Sequence, residues 1–439
     1  MNNKNGVWYA LFVLFLINTM NFFDRTILAA VGEPIRREFE LSDSALGAMN
    51  TAFTILYAFV GIPLGRLADR GVRKRILAAG VFFWSLFTAA SGLAQNFWQI
   101  FAMRMGVGVG EASCAPAATS LIADMFPAES RARATSIFML GLPVGLALSF
   151  GVSGTITRNY GWRMAFFVAA VPGLICAILA LFIREPKRET LKKTIPDERS
   201  PSVYKIVLSS PTMRWLIASG AIHNFNLYAM SAFMTPYLMR FHGLDIRDAN
   251  FVSMIIYGVL SLPGLLLSGV IGDAAKKRTP NGALLVASAA ILISIPFFFF
   301  ALGVSAGNVY PFLFLMGTSV AFLYFYYSIV YSTIQNVTEP RSRGTAMSIY
   351  FMAMYLLGGS FGPYIVGLVS DHFTKQAAIA AGALDLSVLA LEPFRAAGLR
   401  SAMYIIPLLS IVLTGVLYAA SRTVKQDIEK LEGRISEIS

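Results

Sequence analysis

Asp24-Arg25 follows the apolar run 7–23, and Arg104-Met-Gly-Val-Gly-Val-Gly-Glu111 lies inside another such run. A charge in hydrocarbon costs several kcal/mol, about 2.5–3.5 on insertion scales, so it persists only beside a partner or a wet cavity. Two acids and two bases in such surroundings have two chemistries open to them: proton exchange and anion binding. Burial favours the protonated form of a carboxylate, and a nearby base favours the ionised form. Asp24 and Glu111 are therefore the candidate proton carriers, provided that Arg25 or Arg104 approaches and withdraws. Arg25 keeps its charge and presents a planar fork that matches a phosphate or carboxylate, which makes it the candidate substrate contact. The alternative is a static ion pair that fixes one helix against another.

These residues need helices to position them. The chain has 439 residues, 56% hydrophobic and 14% charged, with a mean hydropathy of +0.63. Ordinary soluble domains carry about 25% charged residues. Apolar runs recur at 7–30, 45–64, 76–94, 97–123, 134–156 and 164–183, and again at 215–239, 251–271, 283–304, 310–334, 346–369 and 402–420. Each is close to the ~20 residues that a helix needs to cross a bilayer, and the count of twelve predicts an all-α polytopic membrane protein. The first run lacks a strongly basic flank and a small-residue cleavage site, so it is expected to be a retained span. Arg104 and Glu111 then lie on nearly one helix face, about 10 Å apart along the axis, and the glycines between them admit a close neighbouring helix. A dinucleotide loop is excluded for Gly106-Val-Gly-Val-Gly110, because no strand precedes it.

The net charge of +12 reports topology and not a nucleic-acid partner. About 25 of the 36 Lys and Arg fall on one set of alternate loops, among them 66–75, 131–133, 184–214, 276–278 and 341–343, and on the two tails. That bias places both termini in the cytoplasm. Cys114 and Cys176 sit within spans as small apolar packing residues. His223, His242 and His372 are far apart in sequence, so no metal and no cofactor is expected. No nucleophile–base set or phosphate loop points to an enzyme.

The two halves repeat each other. Gly65-Arg-Leu-Ala-Asp69-Arg-Gly-Val-Arg73-Lys74-Arg75 is matched by Gly269-Val-Ile-Gly-Asp273-Ala-Ala-Lys-Lys277-Arg278, and Glu129-Ser-Arg131-Ala-Arg133-Ala-Thr135 by Glu339-Pro-Arg341-Ser-Arg343-Gly-Thr345. The expected division is a six-helix bundle over 1–183, a polar cytoplasmic linker over 184–210, a second bundle over 211–421 and a cytoplasmic tail over 422–439. In that tail Ile428, Leu431 and Ile435 recur at helical spacing. The apolar middle of the loop 372–400 fits either a helical extension at the outer surface or simple packing there.

On these motifs the chain resembles the major facilitator superfamily. The resemblance implies a substrate path between two bundles, alternating access by rocking, and a conformational gate at Gly65, Asp69, Arg73, Lys74 and Arg131, with its copy at Gly269, Asp273, Lys277 and Arg341. Asn21-x-x-Asp24-Arg25 together with Arg104-x-Gly-x-Gly-x-Gly-Glu111-Ala-Ser is similar to the Spinster family, whose members move sphingolipid phosphates and lysophospholipids. Organic-anion/proton symporters for sugar acids share part of the pattern and stand as the alternative. A receptor or scaffold that has lost transport is a further alternative, against which the retained acids argue. The superfamily often has an arginine at the Arg104 position that supports the fourth helix, so Arg104 is expected to be structural charge support.

In the second half, His223, Asn224 and Asn226 of the seventh run and Tyr324 and Tyr327 of the tenth are the candidate substrate-binding residues. Aromatics with polar tips suit a cavity that is apolar along one wall and wet along another. The expected partners are a lipid-like or organic-anion substrate, protons and membrane lipids. The chain is expected to act as a monomer in a bacterial inner membrane.

Overall fold

The computed structural model describes residues 3–70, 72–186, 207–339 and 342–438. Among these no strand occurs. The helices of the first half are α1 (Asn3–Glu38), α2 (Asp43–Arg70), α3 (Arg73–Ser91), α4 (Phe97–Glu111), α5 (Cys114–Met125), α6 (Ala128–Met139), α7 (Gly141–Tyr160) and α8 (Trp162–Leu181). Those of the second half are α9 (Pro211–Phe241), α10 (Ile246–Met254), α11 (Ser261–Arg278), α12 (Gly282–Gly303), α13 (Val309–Leu323), α14 (Phe325–Asn336), α15 (Arg343–Ala353), α16 (Phe361–Ala380), α17 (Arg395–Met403) and α18 (Ile405–Ile438). π-Helical turns at Ile255–Leu260 and Met354–Gly359 join α10 to α11 and α15 to α16.

Nine helical segments among the described residues are long and apolar enough to cross a membrane. The other three predicted spans fall on α3, on α4 with α5, and on α9. Physical reasons for the difference are visible. α3 opens with three bases, α4 and α5 are separated at Ala112-Ser113, and α9 carries the polar stripe His223, Asn224 and Asn226. The interruption between α4 and α5 has a counterpart at Tyr324 between α13 and α14, about one repeat later.

Local chemistry sets the helix starts. The Asn96 side chain accepts from Gln99 N at 3.0 Å, and Asp245 accepts from Asp248 N at 2.9 Å. Each satisfies a donor that the first helical turn leaves free. Pro211 opens α9, where its missing N–H costs nothing. Packing then brings backbones together. A Cβ on Gly145 of α7 would lie 2.4 Å from the Thr19 carbonyl oxygen of α1, so only glycine permits this crossing. Ser149 on the same face donates to the Phe23 carbonyl at 2.9 Å.

The tail does not form a separate element. α18 runs unbroken from the last span to Ile438, and Asp427 accepts from Ser210 Oγ at 2.7 Å and Thr212 N at 2.9 Å. The loop 372–400 combines both of its predicted forms: α16 continues to Ala380, and the returning segment packs Leu391 inside while Leu384 and Leu389 stay exposed.

The halves meet most closely at the end away from the basic loops. There Gly47 of α2 abuts Pro363 and Tyr364 of α16, and Gly154 of α7 abuts Asn250 of α10. Toward the basic end a Cβ on Gly61 of α2 would meet open space, and Leu140, Val144 and Met352 are exposed. The two halves are thus in close contact at the end away from the basic loops.

Candidate functional site

Asp24 and Arg25 are sequence neighbours, but successive helix residues point about 100° apart, so they cannot serve the same face. Arg25 turns toward the second half and donates from Nε to Glu111 Oε2 at 2.8 Å. The two side chains are 10% and 0% exposed, which makes this a buried pair whose arginine alone reaches the cleft. Asp24 turns into the first half, against Trp84 and Thr88 of α3. Arg104 does not pair with a carboxylate; its Nη2 donates to the Asp24 carbonyl at 2.8 Å, and its guanidinium lies 5.3 Å from the Phe53 ring. Arg104 Nε and Nη1 are buried without a hydrogen-bond partner, and Glu111 has Asn21 beside it as Asp24 has Thr88. Such a group of polar atoms is costly in a bundle interior unless protons or polar ligands engage it.

The Arg25 guanidinium sits 4.1 Å above the Tyr57 ring of α2, with Phe22 and Phe53 at 5.4 and 5.9 Å. Tyr228 of α9 and Tyr355 of the π turn lie beside it from the second half. Tyr57 meets Tyr355 at 6.4 Å between ring centres, and Tyr355 meets Tyr228 at 6.2 Å. From Tyr355 an aromatic wall continues through Phe351, Tyr331 and Tyr327 to Tyr324. Tyr57, Tyr228, Tyr327, Tyr331, Phe351 and Tyr355 are all partly exposed, so they line a space and do not fill a core.

The structure brings some predicted residues to this wall and not others. Tyr324, Tyr327 and His223 belong to it; His223 is buried, stacked on Tyr326 at 4.0 Å and edge-on to Tyr327 at 5.0 Å. Asn226 faces the other way and donates to Ser410 Oγ on α18 at 3.1 Å. Asn224 donates to the Met354 carbonyl at 3.1 Å. Tyr57 and Tyr355 are the residues that sequence reasoning did not select, whereas Tyr228 closes the seventh-run motif that opens at His223. The signal of Tyr57 and Tyr355 is faint, since a lone tyrosine in an apolar helix has no distinguishing spacing.

The gate residues that are described engage their own half. Arg73 donates from Nε to Glu185 Oε1 at 2.8 Å and also bonds Asp124 and the Ser120 carbonyl. Lys74 Nζ donates to the Leu181 carbonyl at 3.1 Å, and Arg131 Nη2 to the Ala123 carbonyl at 2.8 Å. Gly269 and Asp273 line a cavity of about 170 Å³ between α11 and α14, and Lys277 is exposed. The surroundings of Gly65 and Asp69, Arg341 itself and linker positions 187–206 lie outside the described residues.

At the end away from the basic loops a second charge cluster joins the halves. Arg240 of α9 donates to Glu33 at 2.6 and 2.9 Å and to Asp43 at 2.7 and 2.8 Å, and both carboxylates are fully buried. Arg36 bridges Glu33 and Glu392, and Arg395 lies 3.9 Å from Asp43 and 3.6 Å from Asp371. Asp371 of α16 caps α2 across the divide, accepting from Asp43 N at 3.0 Å and Ser44 N at 2.9 Å. Seven charged residues from both halves thus form one seal.

A family model described as Major Facilitator Superfamily matches residues 14–363. The chain belongs to this superfamily. Within it, the chain is 32% identical to protein spinster homolog 1 of Xenopus laevis over 385 residues, covering 83% of this chain and 73% of that one. That similarity makes it a Spinster-family transporter. An MFS-type efflux pump of Mycolicibacterium smegmatis is 28% identical over 387 residues, covering 88% of this chain and 89% of that one. Among solved structures, a bacterial homologue of the human lysosomal transporter Spinster, in an inward-facing and unoccupied conformation, superposes with a TM-score of 0.88 at 28% identity, covering 97% of this chain and 98% of that one.

Proposed function

We propose that this transporter moves an amphiphilic anion of lysophospholipid or sphingolipid-phosphate type, coupled to protons, with its basic end in the cytoplasm of a bacterial inner membrane. The observation that carries the reading is the Arg25–Glu111 pair. Glu111 engages Nε of the guanidinium, and from the second half the neutral hydroxyls of Tyr228 and Tyr355 adjoin it, which an anionic head group can displace. A substrate anion and Glu111 then compete for one arginine. Protonation of Glu111 releases Arg25 to the substrate, and loss of the proton draws it back. Asp24, buried one helix face away, is the second proton site, and Arg104 holds the α1 backbone beside it. The partly exposed aromatic wall offers an apolar surface for the chain of the amphiphile, which sugar acids would not need.

On this reading the residues before 184 and those from 211 to 421 rock about the Arg25 site as two bundles of a monomer, joined by the 184–210 linker. Residues Gly65 to Lys74 and their copy from Gly269 to Lys277 form the gate that closes the basic end. In this scheme proton and substrate bind together, so movement of both in the same direction is the first coupling to test.

Binding of dodecyl phosphate and of neutral dodecyl glucoside to protein in nanodiscs tests the site. Arg25→Ala should weaken the phosphate by about ten- to a hundredfold, the value of hydrogen bonds to a charged group, and leave the glucoside unchanged. Equal losses for both amphiphiles would refute the assignment.

A further inference from the structure

The eleventh span is not a uniform helix. Between α15 and α16 it widens into a π turn over Met354–Gly359, which holds one residue more than α-helical bonding accommodates. The turn is stabilised from three sides. Asn224 of α9, 1% exposed, donates from Nδ2 to the Met354 carbonyl at 3.1 Å. Ser360 donates to the Tyr355 carbonyl from N at 2.9 Å and from Oγ at 3.0 Å. Gly358 and Gly359 lie flat against α9: a Cβ on the first would sit 2.2 Å from the Ala221 carbonyl oxygen, and one on the second 3.0 Å from Asn224 Nδ2.

Tyr355 projects from this turn onto Tyr57, Tyr228 and the Arg25 guanidinium. If the turn reverted to α-helix, one residue of slack would be taken up, rotating one flank against the other by about 100° and shifting it by about 1.5 Å. The outer flank is pinned, because Asp371 caps α2 and the Thr51 hydroxyl donates to the Ser360 carbonyl. The rotation therefore falls on the segment that carries Tyr355.

We infer that Asn224 is a positioning residue, which holds the Met354 carbonyl in its π geometry and thereby aims Tyr355 at the anion bound by Arg25. The sequence had placed Asn224 among the substrate contacts; here it acts through Tyr355 and sets head-group selectivity. This inference rests on Arg25 as the substrate site.

The test places 3-fluorotyrosine at position 355, and separately at 331, in protein held in nanodiscs, and measures dodecyl phosphate and dodecyl glucoside binding on the same samples. Asn224→Leu should move the fluorine resonance at 355 and leave that at 331 in place. It should weaken dodecyl phosphate by about five- to tenfold, the value of one buried hydrogen bond, with the glucoside unaffected. Ser410→Ala, which removes the bond from Asn226 on the same helix, should do neither. If Asn224→Leu does not fold, Asn224→Ala removes the donor without added bulk or charge and is read in the same way. An unmoved 355 resonance, or equal weakening of both amphiphiles, overturns the inference. If wild-type protein does not bind dodecyl phosphate, the Arg25 reading fails, while the fluorine resonance still decides the role of Asn224.

Discussion

Replacing Arg240 by alanine is expected to open the sealed end. Arg240 is 4% exposed in its side chain and makes four hydrogen bonds, two to Glu33 and two to Asp43. Its loss leaves two fully buried carboxylates of the first half, Glu33 and Asp43, without the arginine that the second half supplies to both. Removing one partner of a buried ion pair costs about 3–5 kcal/mol, because the remaining charge is left unpaired. Arg36 and Arg395 remain nearby, so the lower figure applies. At 1.4 kcal/mol per decade, about 3 kcal/mol shifts the balance between closed and open by about a hundredfold.

That shift is measurable as distances between spin labels. Labels at Gln95 and Ser305 should move apart at the sealed end, and labels at Arg133 and Lys276 should draw together at the basic end. Arg240→Lys should give an intermediate shift, since a point charge cannot reproduce the bidentate bridge to both acids. Unchanged distances in the alanine variant would show that the seal does not govern the conformational balance. A wider basic end would show that the direction of the reasoning is wrong.

Two further outcomes follow from the packing. Asp427→Ala removes the cap that the tail supplies to α9 and should cost about 1 kcal/mol of stability, read as a lower midpoint in thermal unfolding. Gly145→Val forces a side chain into the Thr19 carbonyl and should destabilise the α1–α7 crossing by about 1–3 kcal/mol, whereas Gly61→Val, placed in open space, should leave the unfolding midpoint within about 0.5 kcal/mol of wild type.

Much of the architecture was legible in the chain because its causes are local. Span length, loop charge and the repeated Gly–Asp–base loops each follow from how a helix meets a bilayer, and they led to the superfamily without tertiary information. The Arg25–Glu111 pair was legible in kind, since charges in apolar runs must find partners. Its exact pairing was not, because Asp24 and Arg25 separate by a helical rotation that only the packed bundle fixes. The charge seal between the halves escaped the sequence reading for a different reason. Glu33, Arg36, Asp43, Arg240 and Asp371 stand at span ends, where charges are ordinary, and only the meeting of the halves makes them a cluster. Tyr57, Tyr228 and Tyr355 come from three helices far apart in the chain, and the π turn that aims Tyr355 depends on a contact with Asn224.

The central claim is that Glu111 exchanges a proton and, through Arg25, ties that proton to an anionic substrate. Its most direct test is transport of dodecyl phosphate by proteoliposomes under an imposed pH gradient. Wild-type protein should drive the phosphate against its own concentration gradient, and Glu111→Gln should only equilibrate it. Gradient-driven accumulation by the Glu111→Gln variant, or a wild-type rate that ignores the pH gradient, would contradict the account.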